Sequence, residues 1–518
     1  MSDKPKRIDL TPEDIKALLV RIKPVVSETD YDTIKAMADT IEALSQVRDE
    51  KAASIKRLLN LLFGPKSEKK KKVFNESKDN DSHKPPKPGH GRNGASAYKG
   101  AEKVFVNHEN LKHGDPCPEC PRGKLYRCKI PGTVVRIVGS PPLKATVYEL
   151  EKLRCNLCGE IFTAAPPEDM GTQKYDETAA VSIALLKYAN GVPFYRLEQF
   201  QSMLGVPVPA STQWEIVEPL GLEAKWPYLE VLRQSAQGEL FNIDDTPGKI
   251  LSLIKEGETE NGRKGIFTTG IISKMDDRKA VLYFTGRNHA GENLKNLLEN
   301  RLTGLSPPQL MCDALSRNTS EGLDVILANC MTHARRYFVD VAPSFPEECR
   351  FVIEILAKVY LNDQIARDQN MTPEDRLAFH QAESKPLMDE LNRWLNKQLD
   401  EKLVEPNSGL GKAINYMLNH WEPLTRFLEV PGAPLDNNIC ERALKKAILH
   451  RKNSLFYKTE HGALIGDIFM SLIQTCAMAG ENPYEYLLAI HKNPALVKAN
   501  PENWLPWNFS QNLNHQPS

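Results

Sequence analysis

Three acidic residues constrain this 518-residue chain more than any other feature. The first lies in Glu239-Leu-Phe-Asn-Ile-Asp244-Asp245-Thr-Pro247, where a short β-prone run ends in acid and is stopped by Pro247 and Gly248. The second lies in Gln309-Leu-Met-Cys-Asp313, another short apolar run ending in acid. Between them sit strand-like runs at 265–273 and 279–284 and an amphipathic helix near 290–302. The third acid follows a turn built from Pro431, Gly432 and Pro434. There Asn438 reads as a helix N-cap, and Glu441 falls at the third helical position, where a capping box places its acid. Beyond Glu441 the helix turns basic: Arg442, Lys445, Lys446, His450, Arg451 and Lys452. Alone, this is a capped, solvated helix as readily as a site for a metal ion and phosphates.

The order Asp, Asp, Glu, from two strand ends and a helix start, fits a ribonuclease-H-like site. In that fold the first and fourth strands lie side by side and a later helix crosses them. Carboxylates so placed suit two Mg²⁺ (or Mn²⁺) ions roughly 3.5–4 Å apart, the separation used for in-line phosphoryl displacement. Acids at strand ends usually only cap or solvate a sheet. The ordered trio with a basic helix is more specific than any one member.

Lys and Arg total 67, as do Asp and Glu, so no net charge draws the whole chain to DNA. Basic charge is local, at 69–72 and in the Glu441 helix. Of ten cysteines, four form two C-x-x-C pairs, Cys117 with Cys120 and Cys155 with Cys158. Four thiolates suit one closed, structural Zn²⁺ site. Runs at 133–138 and 146–154 read as hairpin strands that bring the pairs together, with Cys128 left as a packing residue. The start is polar and no stretch approaches ~20 consecutive apolar residues, so a soluble, cytoplasmic protein without a membrane span is expected.

The expected organisation is multidomain α+β. Residues 1–63 read as helical; Ile34, Ile41, Ile55 and Leu62 keep a seven-residue spacing, interrupted by Arg48, that suits a coiled coil between subunits or a helical hairpin packing on itself. Residues 64–100 read as a basic linker, with 84–92 resembling a minor-groove arm. A zinc-ribbon-like module spans 101–165. Helices follow at 175–235, where 194–204 and 211–220 have a helix-turn-helix outline; the second helix is acidic, which favours packing over DNA reading. An α/β catalytic domain spans 236–480, with a helical insertion about 345–425, before a C-terminal tail at 481–518.

These segments together resemble the large transposase of the insertion-sequence-66 family. The matching stretches are LLFGPKSEK (61–69), GHGRNGA (89–95), CPEC and LRCNLCGEIF (117–120 and 153–162), IDDTP (243–247), CMTHARRYF (330–338), PLDNNICERA (434–443), RKNSLF (451–456), NPYEYL (482–487) and LPWN (505–508). They keep their order and cover nearly everything after about residue 55. The resemblance implies a DDE-type enzyme that cuts double-stranded DNA at element ends and transfers the freed 3′-hydroxyl into target DNA. It implies Asp244, Asp313 and Glu441 as metal-binding catalytic residues. Arg335, Arg336, Arg442, Lys445, Arg451 and Lys452 are expected to contact DNA. His333 and Asp245 are expected to support the site, with Asp245 also able to exchange roles with Asp244. A homo-oligomer on DNA and two small companion proteins are implied as partners. The alternative is an inactive, transposase-derived DNA-binding regulator.

Overall fold

The computed structural model describes residues 12–38, 110–116, 124–126, 141–154, 161–168, 171, 173–257, 262–320 and 322–513. Of the described residues, 12–38 and those from 145 onward belong to one compact unit, and those between 110 and 144 to a second. In the second unit, Gly114 N donates to Leu125 O at 2.8 Å and Leu125 N to Asp115 O at 2.9 Å, a short antiparallel pairing. The four cysteines expected to hold zinc, the run at 133–138, the linker and most of the expected coiled-coil seam lie outside the described residues.

In the larger unit, helix α1 (Pro12–Ile22) is followed by a helical stretch at 28–38. Strands β1 (Lys152–Arg154) and β2 (Ile161–Thr163) pair antiparallel, so part of the run read at 146–154 is a strand. Its partner follows it in the chain. Helix α2 (Glu177–Ala184) starts where the Asp176 side chain accepts from Ala179 N at 3.0 Å. A π-helical turn, Leu185–Ala189, leads on to α3 (Phe194–Met203). Gly205, at φ 75°, then makes the turn into α4 (Ala210–Ser235). The outline of two helices across a turn is thus present, but α4 runs 26 residues and buries Val217, Leu220, Gly221, Ala224 and Val231. A Cβ on Gly221 would lie 2.9 Å from Ile465 Cγ2, so α4 is pressed against the core.

The central sheet has five strands: β3 (Leu240–Pro247), then, after the short helix α5 (Leu251–Glu256), β4 (Phe267–Met275) and β5 (Arg278–Gly286). Helix α6 (Ala290–Leu298) precedes β6 (Gln309–Cys312) and β7 (Ile326–Asn329). Their spatial order is β5-β4-β3-β6-β7. The first three strands are antiparallel, whereas β6 pairs parallel with β3 and β7 parallel with β6. The first and fourth strands are therefore neighbours. Strand β3 does not stop before its acids: Asp244, Asp245, Thr246 and Pro247 all pair with β4.

Helix α7 (Met331–Val341) follows β7 directly. Next come α8 (Pro346–Asp368), α9 (Pro373–Glu383), α10 (Lys385–Asp400), α11 (Gly409–Asn419) and α12 (Trp421–Leu424). With α7, helices α8, α10, α11 and α12 share one apolar core that includes Phe338, Val352, Leu356, Leu391, Leu395, Ile414 and Phe427. Arg376 ties this set to the loop before the third acid, donating to Asp363 Oδ1 and to Ala433 O, each at 2.7 Å.

Helix α13 (Asn438–Ser454) crosses back onto β3 and β4, and α14 (Glu460–Ala479) covers the edge strand β5. Asp467, Ser471 and Thr475 are spaced four apart, so they share one face of α14. They accept from the outward N–H groups of Thr285 at 2.6 Å, Tyr283 at 2.9 Å and Val281 at 3.0 Å. A helix thereby satisfies a sheet edge that would otherwise invite another strand. By length and composition α14 is apolar enough to cross a membrane, which the sequence reading did not anticipate; here it is mostly buried in the core. Within the expected C-terminal tail, the described residues 481–513 are packed. Helices α15 (Pro483–Lys492), α16 (Pro494–Ala499) and α17 (Phe509–Leu513) bury Tyr486, Leu487, Ile490, Val497 and Phe509.

Candidate active site

Successive side chains of a strand point to opposite faces. On β3 this separates Asp244 from Asp245. Asp244 pairs across the sheet with Gly270 of β4. Helix α13 crosses at that point, and a Cβ on Gly270 would lie 3.0 Å from Leu444 Cγ and 3.1 Å from its Cδ2. Cys440 Sγ also donates to Gly270 O at 3.3 Å. The missing side chain lets the helix lie close over the strand, with Glu441 beside Cys440 near Asp244.

The start of α13 is fixed by two buried asparagines that sequence reasoning missed. Asn437 Nδ2 donates to Ile243 O at 2.8 Å, and Asn242 Nδ2 donates to Asn437 Oδ1 at 3.0 Å. Asn437 N also donates to Cys330 Sγ at 3.3 Å. This corrects the expected cap. The N-cap is Asn437, not Asn438, and its side chain serves the sheet rather than the helix. Asp436 takes over the local bonding, accepting from Asn438 N at 3.1 Å and from Asn438 Nδ2 at 2.7 Å. Glu441 is the fourth helical residue and makes no capping box. A polar residue inside the apolar run Leu-Phe-Asn242-Ile was the available signal.

Asp313 follows β6 directly. Its Oδ1 accepts from the Asn318 side-chain amide, and from Leu315 N at 3.4 Å. Burial pushes its pKa up, while the nearby His333 works the other way. His333 sits in the first turn of α7, its Nδ1 3.9 Å from Glu441 Oε1. Both atoms are buried and lack a hydrogen-bond partner among the described residues. Arg335 and Arg336 lie on the same helix, the first half-buried and the second exposed.

Asp244 reports how these groups converge. Burial is the largest cause of a pKa pushed up to about 7, with the charges of Asp313, Glu441 and Asp245 adding to it. The Asp245 N–H, donating to Asp244 Oδ1 at 2.8 Å, opposes the rise. Crowded carboxylates with an unpartnered carboxylate oxygen beside them fit divalent cations. The donor atoms of Cys330, His333 and Glu441 also lie within 4.8 Å of one another. Burial pushes the Cys330 thiol up to about 11, and sulfur is a poor ligand for Mg²⁺. The carboxylates are therefore the better donor set for a hard ion.

Asp245 takes a different place from the one its sequence suggested. Its carboxylate accepts from Thr269 Oγ1 at 2.6 Å and Ala290 N at 3.0 Å, and meets His289 Nδ1 at 3.1 Å. Asn293 Nδ2 supports Thr269 at 2.8 Å. Asp245 pins the start of α6 on the face of the strand opposite Asp244. No spacing rule pointed to Thr269, His289 or Asn293.

On α13, Arg442, Lys445, Lys446 and Lys452 are exposed. Arg451 is half-buried and its Nη1 donates to Thr246 Oγ1 at 3.0 Å and to Pro247 O. His450 does not belong to the basic face. It is buried, with its ring centroid 5.9 Å from that of Tyr188 and 5.0 Å from that of Tyr457, and burial pushes its pKa down to about 3, helped by Lys187.

Comparison with known proteins adds to this geometry. A family model described as "Transposase IS66 family" matches residues 173–464. Uncharacterized protein y4jD of Sinorhizobium fredii is 35% identical over 379 residues, covering 68% of this chain and 70% of its own length. Uncharacterized protein y4qI of the same organism is 26% identical over 365 residues, covering 68% of this chain and 66% of its own length.

Proposed function

Since the chain belongs to the IS66 transposase family, we propose that it is a DDE-type enzyme that cuts DNA at the ends of a mobile element and joins them to target DNA. The order of the sheet, with its first and fourth strands adjacent and a later helix laid across them, supports a ribonuclease-H-like reading of residues 236–480. Asp244, Asp313 and Glu441 would hold two Mg²⁺ (or Mn²⁺) ions. When bound, such ions supply an activated water or 3′-hydroxyl and stabilise the leaving oxygen.

The chain's own groups position and neutralise. Gly270 and the Asn242–Asn437 pair set the height and register of α13, and so of Glu441 above Asp244. His333 approaches Glu441 from α7 and lies in electrostatic reach of Asp313, and would steady those carboxylates by its positive charge when protonated. Arg442, Lys445, Lys446 and Lys452 would bind phosphates along the DNA, with Arg335, Arg336 and Arg451 nearer the strand ends. By its two C-x-x-C pairs, the module at 101–165 is assigned one structural Zn²⁺. The protein is proposed to act as a homo-oligomer on DNA with the two small companion proteins.

The observation that carries this reading is the seating of α13 over β3 at Gly270, which brings Glu441 near Asp244 beside the neighbouring strand that leads to Asp313. The test is strand cleavage on labelled DNA carrying the element's own ends, with Mg²⁺ or Mn²⁺, beside the Glu441→Gln variant. Nicking at the element end should fall by about 10³-fold in the variant, some 4 kcal/mol of barrier, with DNA binding kept. Binding without cleavage, equal in both proteins and with the companion proteins added, would leave the inactive regulator instead.

A further inference from the structure

The last turn of α13 runs into Ser454-Leu455-Phe456-Tyr457. Leu455 has φ 68° and ψ −44°, and Phe456 N donates to Ser454 O at 2.9 Å. An i→i+2 bond at these angles is the rare, strained form of γ-turn. Left-handed φ is the province of glycine; a leucine there is strained and is kept only where its surroundings enforce it. Packing of its own side chain does not enforce it, since Leu455 is 61% exposed and Phe456 40% exposed. The enforcement comes from either side. Leu455 N donates to Arg451 O at 2.8 Å and closes the helix. Tyr457 N donates to Lys249 O and Leu251 N to Tyr457 O, each at 2.9 Å, and the Tyr457 ring stacks on buried His450. The turn is clamped between these anchors and pushes two large apolar side chains outward.

This tip ends α13 fourteen residues past Glu441, about 21 Å along the helix from it, and Arg451 links it back toward β3. Arg451, four residues before Leu455, reaches Thr246 and Pro247, and Thr246 lies two residues beyond Asp244 on β3. That is about 7 Å of strand. Lys249, Lys452 and Lys458 are exposed around the tip. Two side chains are far too little surface for a stable protein interface, which takes roughly 800 Å² per partner. Apolar side chains flanked by cations match a nucleic-acid duplex, whose stacked bases lie between two rows of phosphates.

We propose that Leu455 and Phe456 form a wedge that enters the base stack of the bound DNA about six base steps from the reacting phosphodiester, while the neighbouring lysines hold the flanking phosphates. The proposal rests on the reading of the protein as a DNA-cutting transposase. Its effect is to unstack the duplex at that step and bend it, so that the stretch beyond the kink is directed at the acidic corner.

The test uses the full chain and duplex DNA carrying the element ends, with 2-aminopurine at successive positions around the cleavage point. The fluorescence of this base rises when it is unstacked. Wild type should raise it several-fold at one or two positions. Leu455→Gly and Phe456→Ala should hold it near the level of free duplex while DNA binding persists. Both variants should cut intact duplex more slowly and recover on a substrate with a mismatch at the opened step. Leu455→Gly also removes the backbone strain, so its thermal midpoint should equal or exceed that of wild type, which separates the wedge from a folding defect. An equal rise in wild type and variants, or cleavage by wild type with no rise at any position, overturns the wedge and leaves the enzyme reading intact. So does a change in oligomeric state with an unchanged fluorescence rise, which would assign the tip to a protein contact. If wild type neither binds nor cuts the DNA, both readings fall together.

Discussion

The two faces of β3 hold identical side chains in opposite circumstances. On one face Asp245 is enclosed by Thr269, His289 and the N–H of Ala290, and its side chain is 1% exposed. On the other face Asp244 has the Asp245 N–H as a donor and two further acids in electrostatic reach, and its pKa rises to about 7. A carboxylate ringed by donors is part of the scaffold. One ringed by carboxylates is costly to keep ionised unless a cation joins it. The contrast teaches that burial of an acid says little until its neighbours are counted.

The largest expected effect exchanges the two faces. Asp244→Asn should abolish strand cleavage, by about 10³-fold or more, while its thermal midpoint without metal stays level or rises because a crowded charge is gone. Asp245→Asn should do the reverse. It turns an amide N–H toward groups that donate, costing about 1–3 kcal/mol of stability, with any loss of activity following the loss of fold. Cleavage rates and thermal melts on both variants check this. Equal behaviour of the two would end the distinction between the faces.

Much of this arrangement was legible in the sequence because its signals are local. Apolar runs closed by acid located β3 and β6, and the runs at 265–273 and 279–284 became β4 and β5 with their ends shifted by a few residues. The helices at 175–235 and 345–425 were likewise readable, the latter from scattered charges and few glycines. What was not legible depends on partners distant in sequence. The run Asp244 to Pro247 has poor strand propensity, yet it is held in the sheet by pairing with β4 as far as Pro247 with Phe267. Asn437 could not be separated from Asn438 as the cap without knowing that its side chain is engaged by Asn242, 195 residues away. His450 looked like one more cation because helical spacing does not reveal that Tyr188, from a preceding helical segment, packs against it.

A smaller effect tests how α13 is seated. Gly270→Ala places a methyl group against Leu444 and should cost about 1–3 kcal/mol through overpacking, while lifting Glu441 away from Asp244 and slowing cleavage. Adding Leu444→Ala should recover part of both losses. A double-mutant cycle showing no coupling between the two sites would mean the helix is seated by other contacts. Metal addition probes the same corner without mutation. The folded pKa of Asp244 is raised above its unfolded value of 3.8. Without metal, its contribution to stability is therefore present below pH 3.8 and is lost as pH rises through about 7. Saturating Mn²⁺ at pH 7.5 should restore about 1–2 kcal/mol, read as a higher thermal midpoint, and Asp244→Asn should lose that response.

The smallest effect sharpens the comparison from the far end of α13, where a buried base replaces a buried acid. His450 has its pKa pushed down from 6.5 to about 3, chiefly by burial. Its sign is opposite to that of Asp244: the unfolded chain takes up a proton that the folded chain refuses. The stability it allows is fully present above pH 6.5 and is lost as pH falls toward 3. One unit below the unfolded pKa, at pH 5.5, the loss amounts to about 1.4 kcal/mol relative to pH 7.5. Asp467, buried under the β5 edge with its pKa raised to about 7, drifts the other way over the same range. The wild-type curve is therefore a sum of opposed slopes, and the informative quantity is the difference between proteins. His450→Gln gives up the ring stack with Tyr188 and Tyr457 and should be less stable at every pH. Its urea midpoint should nevertheless fall less than that of wild type between pH 7.5 and 5.5. A variant that keeps the full acid loss would show that His450 is not the group refusing the proton, and that this end of the helix is more open to water than its stacked rings indicate.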